Sequence, residues 1–195
     1  MTSREKILNA VAANQPDQTP LHQIPDFSIE GDLVSSFITV AEKIGSRVLK
    51  ISDLNEVEQI VRNQFPENDR ILSLIPELSN FYFADKISDS DPHTFENVKI
   101  TLIKGHFGVA ENSAVWITEE LTGQRVLPFI AEHLVIVINI TDIVSTMHDA
   151  YQQISDHEYG YGVFIAGPSK TADIEQSLVL GAHGPRSLTL FLLDQ

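Results

Sequence analysis

The fold prediction starts from one stretch, GPSKTADIEQSLVLGAHGP, which covers residues 167–185. It lies between two short apolar runs, 161–166 and 187–193, that have the length and composition of buried strands. Gly-Pro breaks mark both of its ends, and we expect a short helix between them. The order strand, turn, helix, turn, strand is typical of α/β proteins, which bind ligands beyond the carboxyl ends of parallel strands. We therefore predict a ligand site here.

The start of the expected helix combines hydroxyl, cationic and acidic side chains. Ser169 or Thr171 is expected to cap it, because a hydroxyl at that position accepts a hydrogen bond from a first-turn N–H. The remaining N–H groups, with Lys170 beside them, are suited to hold a phosphate or a carboxylate. Asp173 and Glu175 diverge by roughly 160° around the helix axis, so we do not expect a close acid/base pair. At most one faces a cleft, and both also suit the positive end of the helix dipole.

His183 is presented between two breaks in the chain, Gly181 and Gly184-Pro185. Glycine permits a positive φ at such a turn, and proline stiffens the exit from it. A histidine held in this way can act as an acid, a base or a ligand. It can equally be a turn residue that makes one backbone hydrogen bond.

Composition narrows the class of protein. The chain has 195 residues, of which 43% are hydrophobic, which is enough for one domain with a real core. Its formal charge of −14 disfavours binding to nucleic acid or to an anionic membrane. Without cysteine, this chain has no disulfide, thiolate nucleophile or cysteine-ligated iron–sulfur cluster. The start does not resemble a signal peptide, and the longest apolar run, 134–138, is too short to span a bilayer, so we predict a cytoplasmic protein.

Helices and strands alternate in the first half of the chain, which indicates an α/β fold. We predict an N-terminal helix and proline-containing linker over residues 1–26, followed by one domain over 27–195. Asp53 and Glu56 have the spacing of a capping box, which marks the start of a helix. The predicted elements up to the middle of the chain are helices over 3–13, 27–44 and from 53 on, and strands over 47–51, 71–75 and 98–103.

The second half continues the same pattern. The run 134–140 is apolar except at Asn139, as expected for a central strand that is buried on both faces. We predict a strand over 114–117, a hairpin turn over 119–124 and a returning strand over 125–130. Thr141 is expected to cap a helix that buries Ile143, Val144, Met147, Tyr151 and Ile154. We find no glycine-rich dinucleotide motif and no Walker A pattern, so the sequence offers no evidence for NAD or ATP.

Five motifs in order carry a resemblance to a known family: Gly108-Val-Ala-Glu111, Arg125-x-Leu-Pro128, Glu132-His133, Gly167-Pro-Ser-Lys-Thr-Ala-Asp-Ile-Glu175 and Gly181-Ala-His-Gly-Pro185. Together they resemble the LUD-domain family, and the nearest branch looks like the lactate utilisation protein C, or YkgG-type, proteins. The resemblance is strongest from about residue 98 onward. One departure is that the family often has Thr-Gly-Thr where this chain has Asn112, Ser113 and Ala114.

The resemblance implies a three-layer α/β/α domain with a mostly parallel sheet, similar to the sugar-phosphate isomerase and CoA-transferase superfamily. It also implies a non-cluster role in oxidising L-lactate to pyruvate, beside partner proteins that carry the iron–sulfur clusters. Two alternatives stay open. The chain could be an independent enzyme or binding module for a phosphorylated or CoA-linked anion, or a non-catalytic assembly subunit. The 112–114 departure leaves the natural substrate open, and the oligomeric state is open as well.

Within this resemblance we assign candidate site residues. Glu111 can orient a substrate hydroxyl or act as a base, or can simply cap a bend. Arg125 can clamp a carboxylate with its planar fork, or can pair with one of the 27 acidic residues. The candidates are Asp173, His183 and Glu111 for catalysis, and Arg125, Ser169, Lys170 and Thr171 for binding a small carboxylate such as lactate.

We predict no metal site and no cofactor held by this chain itself. Glu132 and His133 are adjacent in a strand, so their side chains point to opposite faces and do not suit a shared metal. His106, His133 and His183 could form a three-histidine site in space, but nothing in their spacing specifies one.

Overall fold

The computed structural model describes residues 1–23, 25–65, 69–78, 87, 91–155, 157–172 and 178–194. Within them the fold is α/β and is built on a mostly parallel central sheet, as predicted. The first half contains, in chain order, α1 (Ser3–Ala13), α2 (Leu33–Lys43), β1 (Arg47–Ile51), α3 (Leu54–Gln64), β2 (Ile71–Ser73), β3 (Ile100–Lys104), β4 (Phe107–Val109) and β5 (Val115–Thr118). The second half contains α4 (Glu119–Thr122), α5 (Leu127–Ile130), β6 (His133–Asn139), β7 (Ile143–Val144), α6 (Met147–Ile154), β8 (Gly162–Ile165), β9 (Lys170–Ala172), β10 (Leu178–Leu180) and β11 (Ser187–Leu193).

The central sheet has five parallel strands in the order β1-β11-β6-β3-β2. Strand β6 is its middle strand, which confirms the prediction from the apolar run 134–140. Its register is fixed on both sides, since Ile136 pairs with Leu190 of β11 and with Ile103 of β3. A strand with neighbours on both edges and cover on both faces needs apolar side chains throughout.

Alternate side chains of β6 serve two different cores. Ile136 joins a cluster that includes Phe37 of α2, whereas Val135 joins a cluster that includes Val57 and Val61 of α3. Because successive side chains of a strand point to opposite faces, α2 and α3 lie on opposite sides of the sheet. Helix α3 begins with the predicted capping box at Asp53.

A second, four-stranded sheet, in the order β7-β4-β5-β8, packs on the α2 side. Val115 and Ile117 of β5 belong to the same core cluster as Phe37. The tight approach of this sheet requires Gly108, because a Cβ there would lie 2.8 Å from the Phe37 ring. The sequence pattern did not predict this second layer of strands.

Helix α1 packs against nothing that the structure describes. None of its residues is buried, and Ile7, Leu8 and Val11 expose more than half of their surface. The predicted helix at 3–13 is therefore present, with Thr2 rather than Ser3 as its cap. No helix among the described residues is long and apolar enough to cross a bilayer.

Three local predictions in the second half were wrong. Residues 119–122 form a helical turn that ends at Gly123, with φ 65°, instead of a hairpin turn. Residues 127–130 are helical rather than a strand, and Pro128 stands in the first turn, where its missing N–H costs no hydrogen bond. Helix α6 is capped by Thr146 rather than Thr141, because Ile143 and Val144 form β7.

The predicted helix inside 167–185 was also wrong where the structure describes it. Residues 170–172 and 178–180 form β9 and β10, which pair antiparallel as a two-stranded sheet. Val179 and Leu180 expose about half of their surface, at 44% and 50%. They are therefore not buried, although they are apolar. Asp173 and Glu175 lie outside the described residues.

Candidate functional site

Two neighbouring cavities meet at His183. The Gly-Pro cleft has a volume of about 340 Å³ and is lined by residues 164–171 and 183–185, with further contributions from α5 and the strand starts. The ion-pair cleft has a volume of about 460 Å³ and is lined chiefly by 96–99 and 129–132, with the turn that holds His183. His183 belongs to the walls of both, so a ligand in either cleft would contact it.

The Gly-Pro cleft lies at the amino ends of two central strands. Leu134 of β6 and Leu188 of β11 line it, and so does Ile165, the last residue of β8. Among these strands, only β8 presents its carboxyl end to the cleft. The usual position beyond the carboxyl ends of parallel strands is therefore not used by the central sheet here, because the chain enters β11 from this loop.

Two backbone hydrogen bonds join the Gly-Pro turns that form the cleft. The Ser169 N–H donates to the Pro185 carbonyl at 2.8 Å, and the Ser169 carbonyl accepts from the Gly181 N–H at 3.1 Å. Gly181 has φ 80°, which favours glycine, and a Cβ there would lie 2.2 Å from the Arg186 side chain. Glycine at this position thus lets the two turns close on each other.

The polar side chains of the cleft differ in how far the fold already engages them. The Lys170 ammonium donates to the Ile44 carbonyl, and the Thr171 hydroxyl donates to the Val179 carbonyl at 3.1 Å. The exposed His183 ring has no hydrogen bond to any residue that the structure describes. The His183 ring is thus free to form a hydrogen bond with a ligand.

The ion-pair cleft contains two cations, Lys99 and Arg186, and two carboxylates, Glu96 and Glu132, so its formal charge is balanced. Glu132 accepts hydrogen bonds from the Lys99 ammonium and, at 2.7 Å, from the Arg186 guanidinium. The bond from Lys99 is the main reason that the pKa of Glu132 lies below its usual value. With Lys170 of the Gly-Pro cleft, the two clefts together have three cations and two carboxylates, and this small positive excess suits a small anion.

The three histidines considered as a joint site are dispersed. His133 shares a hydrogen bond of 2.7 Å with Ser187, and burial lowers its pKa, so it is neutral at pH 7. His106 shares one of 2.7 Å with Thr118 and lines a different cavity. The described part of the chain contains no group of three or more side chains that could hold a metal ion.

A family model described as the LUD domain matches residues 81–193, which is more than half of the chain. The chain belongs to the LUD domain family. Both clefts are formed almost entirely by residues within the matched region. The predicted family is thus confirmed.

The chain is similar to curated proteins named lactate utilization protein C. That of Oceanobacillus iheyensis is 30% identical over 92 residues, which is 44% of this chain and 40% of the relative. That of Bacillus pumilus is 28% identical over 105 residues, which is 51% of this chain and 44% of the relative. The matches thus span less than half the length of either relative.

A solved structure has a similar fold. It is the crystal structure of a DUF162 family protein from Deinococcus radiodurans, with a TM-score of 0.64 and 14% sequence identity. The superposition covers 83% of this chain and 96% of that chain. At this identity the similarity supports the α/β fold alone.

The LUD domain brings together four of the seven predicted site residues. Ser169, Lys170, Thr171 and His183 all line the Gly-Pro cleft. Asp173 lies outside the described residues, and its catalytic role stays a prediction.

The structure places the other two candidates elsewhere in the LUD domain. Glu111 accepts a hydrogen bond at 2.8 Å from the backbone N–H of Met147, the first residue of α6. Arg125 forks onto the two carboxylate oxygens of Glu119 at 2.9 Å each, and its guanidinium lies 5.2 Å from the centre of the Tyr161 ring. Neither side chain lines the clefts at His183. These contacts match the structural alternatives for both residues, a cap and an ion pair.

Two cationic residues of the ion-pair cleft were not predicted. Lys99 precedes β3 and Arg186 precedes β11, and the parallel pairing of both strands with β6 brings them to Glu132. The only local signal was that Arg186 directly follows the Gly181–Pro185 motif.

The departure from the family pattern at Ser113 has a structural cost in this LUD domain. Ser113 has φ 57°, in the left-handed region that favours the glycine often found there in the family. Its side chain is fully buried, and its hydroxyl has no hydrogen-bond partner among the described residues. Both features destabilise the folded chain.

We expect Ser113→Gly to raise the free energy of unfolding by about 1–3 kcal/mol, as measured by urea titration. Removing the left-handed strain contributes roughly 1 kcal/mol, and removing the buried hydroxyl roughly 1–3 kcal/mol. The greater chain entropy of glycine opposes this by roughly 0.5–1 kcal/mol. The matched control, Ser36→Gly inside α2, should destabilise. A loss of stability in Ser113→Gly would contradict the strain assigned to this residue.

Proposed function

We propose that this LUD domain acts in L-lactate utilisation and that it binds a small carboxylate in the clefts at His183. The observation that carries the proposal is the position of His183, where the Gly-Pro cleft with Lys170 and the ion-pair cleft with Lys99 and Arg186 share a wall. The names of the curated relatives support lactate utilisation as the setting.

The charges near His183 favour an anion over a neutral or cationic ligand. Arg186 is exposed, so it can turn from Glu132 toward a bound carboxylate without losing a buried ion pair. A guanidinium binds a carboxylate through two parallel N–H bonds, and Lys99 then keeps Glu132 neutralised. In a chain with a net charge of −14, this local excess of positive charge is what a lactate anion requires.

The oxidation of L-lactate to pyruvate releases two electrons and two protons. An unprotonated His183 is suited to accept the proton of the C2 hydroxyl, because its imidazole is exposed and free of other described hydrogen bonds. The sequence contains no cysteine, so a cysteine-ligated cluster would belong to another chain. We therefore propose that the C2 proton is released to solvent, that the two electrons pass to partner proteins that carry iron–sulfur clusters, and that this domain is the non-cluster component.

The test is growth on L-lactate of a strain from which the gene has been deleted. The strain is complemented with the wild type, His183→Ala, Asp173→Ala or the control His22→Ala, whose side chain lies in the exposed linker. We expect rescue by the wild type and by His22→Ala, and a growth rate reduced at least about tenfold with His183→Ala, because the proton acceptor is lost. Protein levels are compared by immunoblot, and growth on pyruvate controls for general fitness.

Two results would overturn parts of the proposal. Full rescue by both His183→Ala and Asp173→Ala would show that the clefts have no catalytic role, and it would favour an assembly role for the domain. Normal growth of the deletion strain on L-lactate would contradict the proposed role in lactate utilisation. The alternative of an independent module for a phosphorylated or CoA-linked anion would then be tested by melting the isolated chain with such anions, since a ligand at 100 times its Kd should stabilise it by about 2.7 kcal/mol.

A further inference from the structure

A further cavity lies apart from His183. This aromatic cavity has a volume of about 730 Å³ and is formed by β4, β5, α4, the end of α6 and the segment 157–161. It shares no lining residue with the Gly-Pro cleft or the ion-pair cleft. Its volume is in the range of sites that enclose small molecules, about 300–1,000 Å³.

Aromatic rings form much of its wall. Trp116 and Tyr159 stand nearly perpendicular, at 80°, with their ring centres 5.2 Å apart. Trp116 is held firmly, because it packs against the backbone of Gly162, where an added Cβ would lie 2.2 Å from the ring. Tyr159 is 45% exposed although it is a large aromatic residue. The wall is therefore preformed on one side and open to a ligand on the other.

The aromatic cavity is acidic, whereas the charged side chains of the two clefts at His183 together sum to one positive charge. Glu119, Glu120 and Glu158 line it, whereas no lysine or arginine is among the described residues that do. Arg125, outside the wall, pairs with Glu119. Within the described part of the chain, Glu120 and Glu158 have no such cationic partner. His106 does not compensate for them, because burial lowers its pKa and it is neutral at pH 7.

Aromatic faces and unpaired carboxylates together select one class of ligand. The faces of tryptophan and tyrosine attract weakly hydrated cations, and quaternary ammonium ions are bound in this way by aromatic cages. The fold already places a cation near one of these rings, since the Arg125 guanidinium lies 5.2 Å from the Tyr161 ring centre. A bare metal ion fits less well, because the described residues contain no group of three metal ligands and the cavity is far larger than an ion.

We propose that the aromatic cavity binds a small organic cation of the quaternary ammonium class. The ammonium group lies against the exposed ring of Tyr159 and the small part of Trp116 that reaches the cavity, and the carboxylates of Glu120 and Glu158 balance its charge. A lactate anion is excluded from this cavity by the same carboxylates. The LUD domain thus has two sites of opposite charge preference that share no wall.

The test is isothermal titration calorimetry of the full chain at pH 7.5 and low salt. The probes are choline and 3,3-dimethyl-1-butanol, which has nearly the same shape but a carbon atom in place of the charged nitrogen. We expect saturable binding of choline, with the neutral alcohol bound at least about tenfold more weakly, since the cation–π and charge terms are lost. Lactate plays no part in this measurement, so its outcome is independent of the proposed function.

Substitutions in the wall of the aromatic cavity test which residues bind choline. Tyr159→Ala should weaken choline binding about tenfold and Glu120→Gln about threefold, because each removes one attractive group. The matched controls are Tyr151→Ala and Glu42→Gln, whose exposed side chains do not line the aromatic cavity and should leave the affinity unchanged. Circular dichroism confirms that each variant is folded. Absence of saturable choline binding, equal affinity for the neutral alcohol, or undiminished affinity in folded Tyr159→Ala would each overturn the proposal.

Discussion

Replacing Phe37 with alanine should lower the free energy of unfolding by about 3–5 kcal/mol, the largest stability effect expected for a single substitution in this chain. The side chain is fully buried, and it lies where α2, the central sheet and the second sheet meet in one core cluster. Its ring also lies close to the backbone of Gly108, where an added Cβ would meet both Phe37, at 2.8 Å, and Ile138, at 2.9 Å. Alanine would therefore leave a cavity that the surrounding strands cannot fill.

The matched control is Phe27→Ala. Phe27 is 57% exposed and only stacks on His148, with ring centres 5.5 Å apart, so we expect a loss below about 1 kcal/mol. Both variants are compared by urea unfolding, where the midpoint should fall at an unchanged m-value. Similar losses for the two phenylalanines would show that Phe37 does not have the central packing role assigned to it.

The second large effect is expected for Gly162→Ala, which should destabilise by about 3 kcal/mol. The new methyl group would lie 2.2 and 2.3 Å from two carbon atoms of the Trp116 ring. That ring cannot step aside cheaply, because it is only 6% exposed and contacts Phe164 with ring centres 4.6 Å apart. Relief would require β8 to move away from β5, with which Gly162 pairs opposite Thr118.

Gly160→Ala provides the control on the same loop. A Cβ at Gly160 would meet only a carboxylate oxygen of Glu119, at an ordinary 3.5 Å. We expect this variant to change stability by less than about 0.5 kcal/mol. The melting temperatures of both variants are measured by near-ultraviolet circular dichroism. This signal also reports the environment of the single tryptophan. If Gly162→Ala had the same melting temperature as the wild type, Trp116 would have to be more mobile than its contacts indicate.

The parts of the fold that the sequence predicted are those in which one signal has one structural meaning. The run 134–138 has no polar break, and so short an apolar run is typical of a central strand in a covered parallel sheet. The Asp53–Glu56 spacing likewise predicted the start of α3, because the capping box satisfies N–H groups that nothing else nearby can satisfy. Such signals act locally, so no knowledge of the tertiary structure is needed to interpret them.

The errors fall where one residue suits two structures. Gly123 fits a hairpin turn and the left-handed end of a helix equally well, and only the backbone distinguishes them. The segment 170–180 has cap-like hydroxyls at one end, but its strands pair with each other across the intervening residues. That pairing leaves Val179 and Leu180 half exposed, which periodicity cannot predict.

The candidate site was predicted in part for a similar reason. Ser169, Lys170, Thr171 and His183 lie on adjacent turns, so a single stretch of sequence contained them. Lys99 joins the site only because β3 and β11 both pair with β6, which is a property of the sheet order. The aromatic cavity is formed by β4, β5, α4, α6 and the segment 157–161, and no motif in the sequence indicated it.

The sheet order also has a consequence for folding during synthesis. Strand β11 is inserted between β1 and β6, although the ribosome makes it after both of them. Until residues 187–193 have emerged, β1 has no partner in the sheet and one edge of β6 stays open. Contacts between parts of the chain so distant in sequence form slowly, and open strand edges invite association with other chains. Until β11 has paired, the nascent protein can therefore misassemble, and chaperones are expected to bind it.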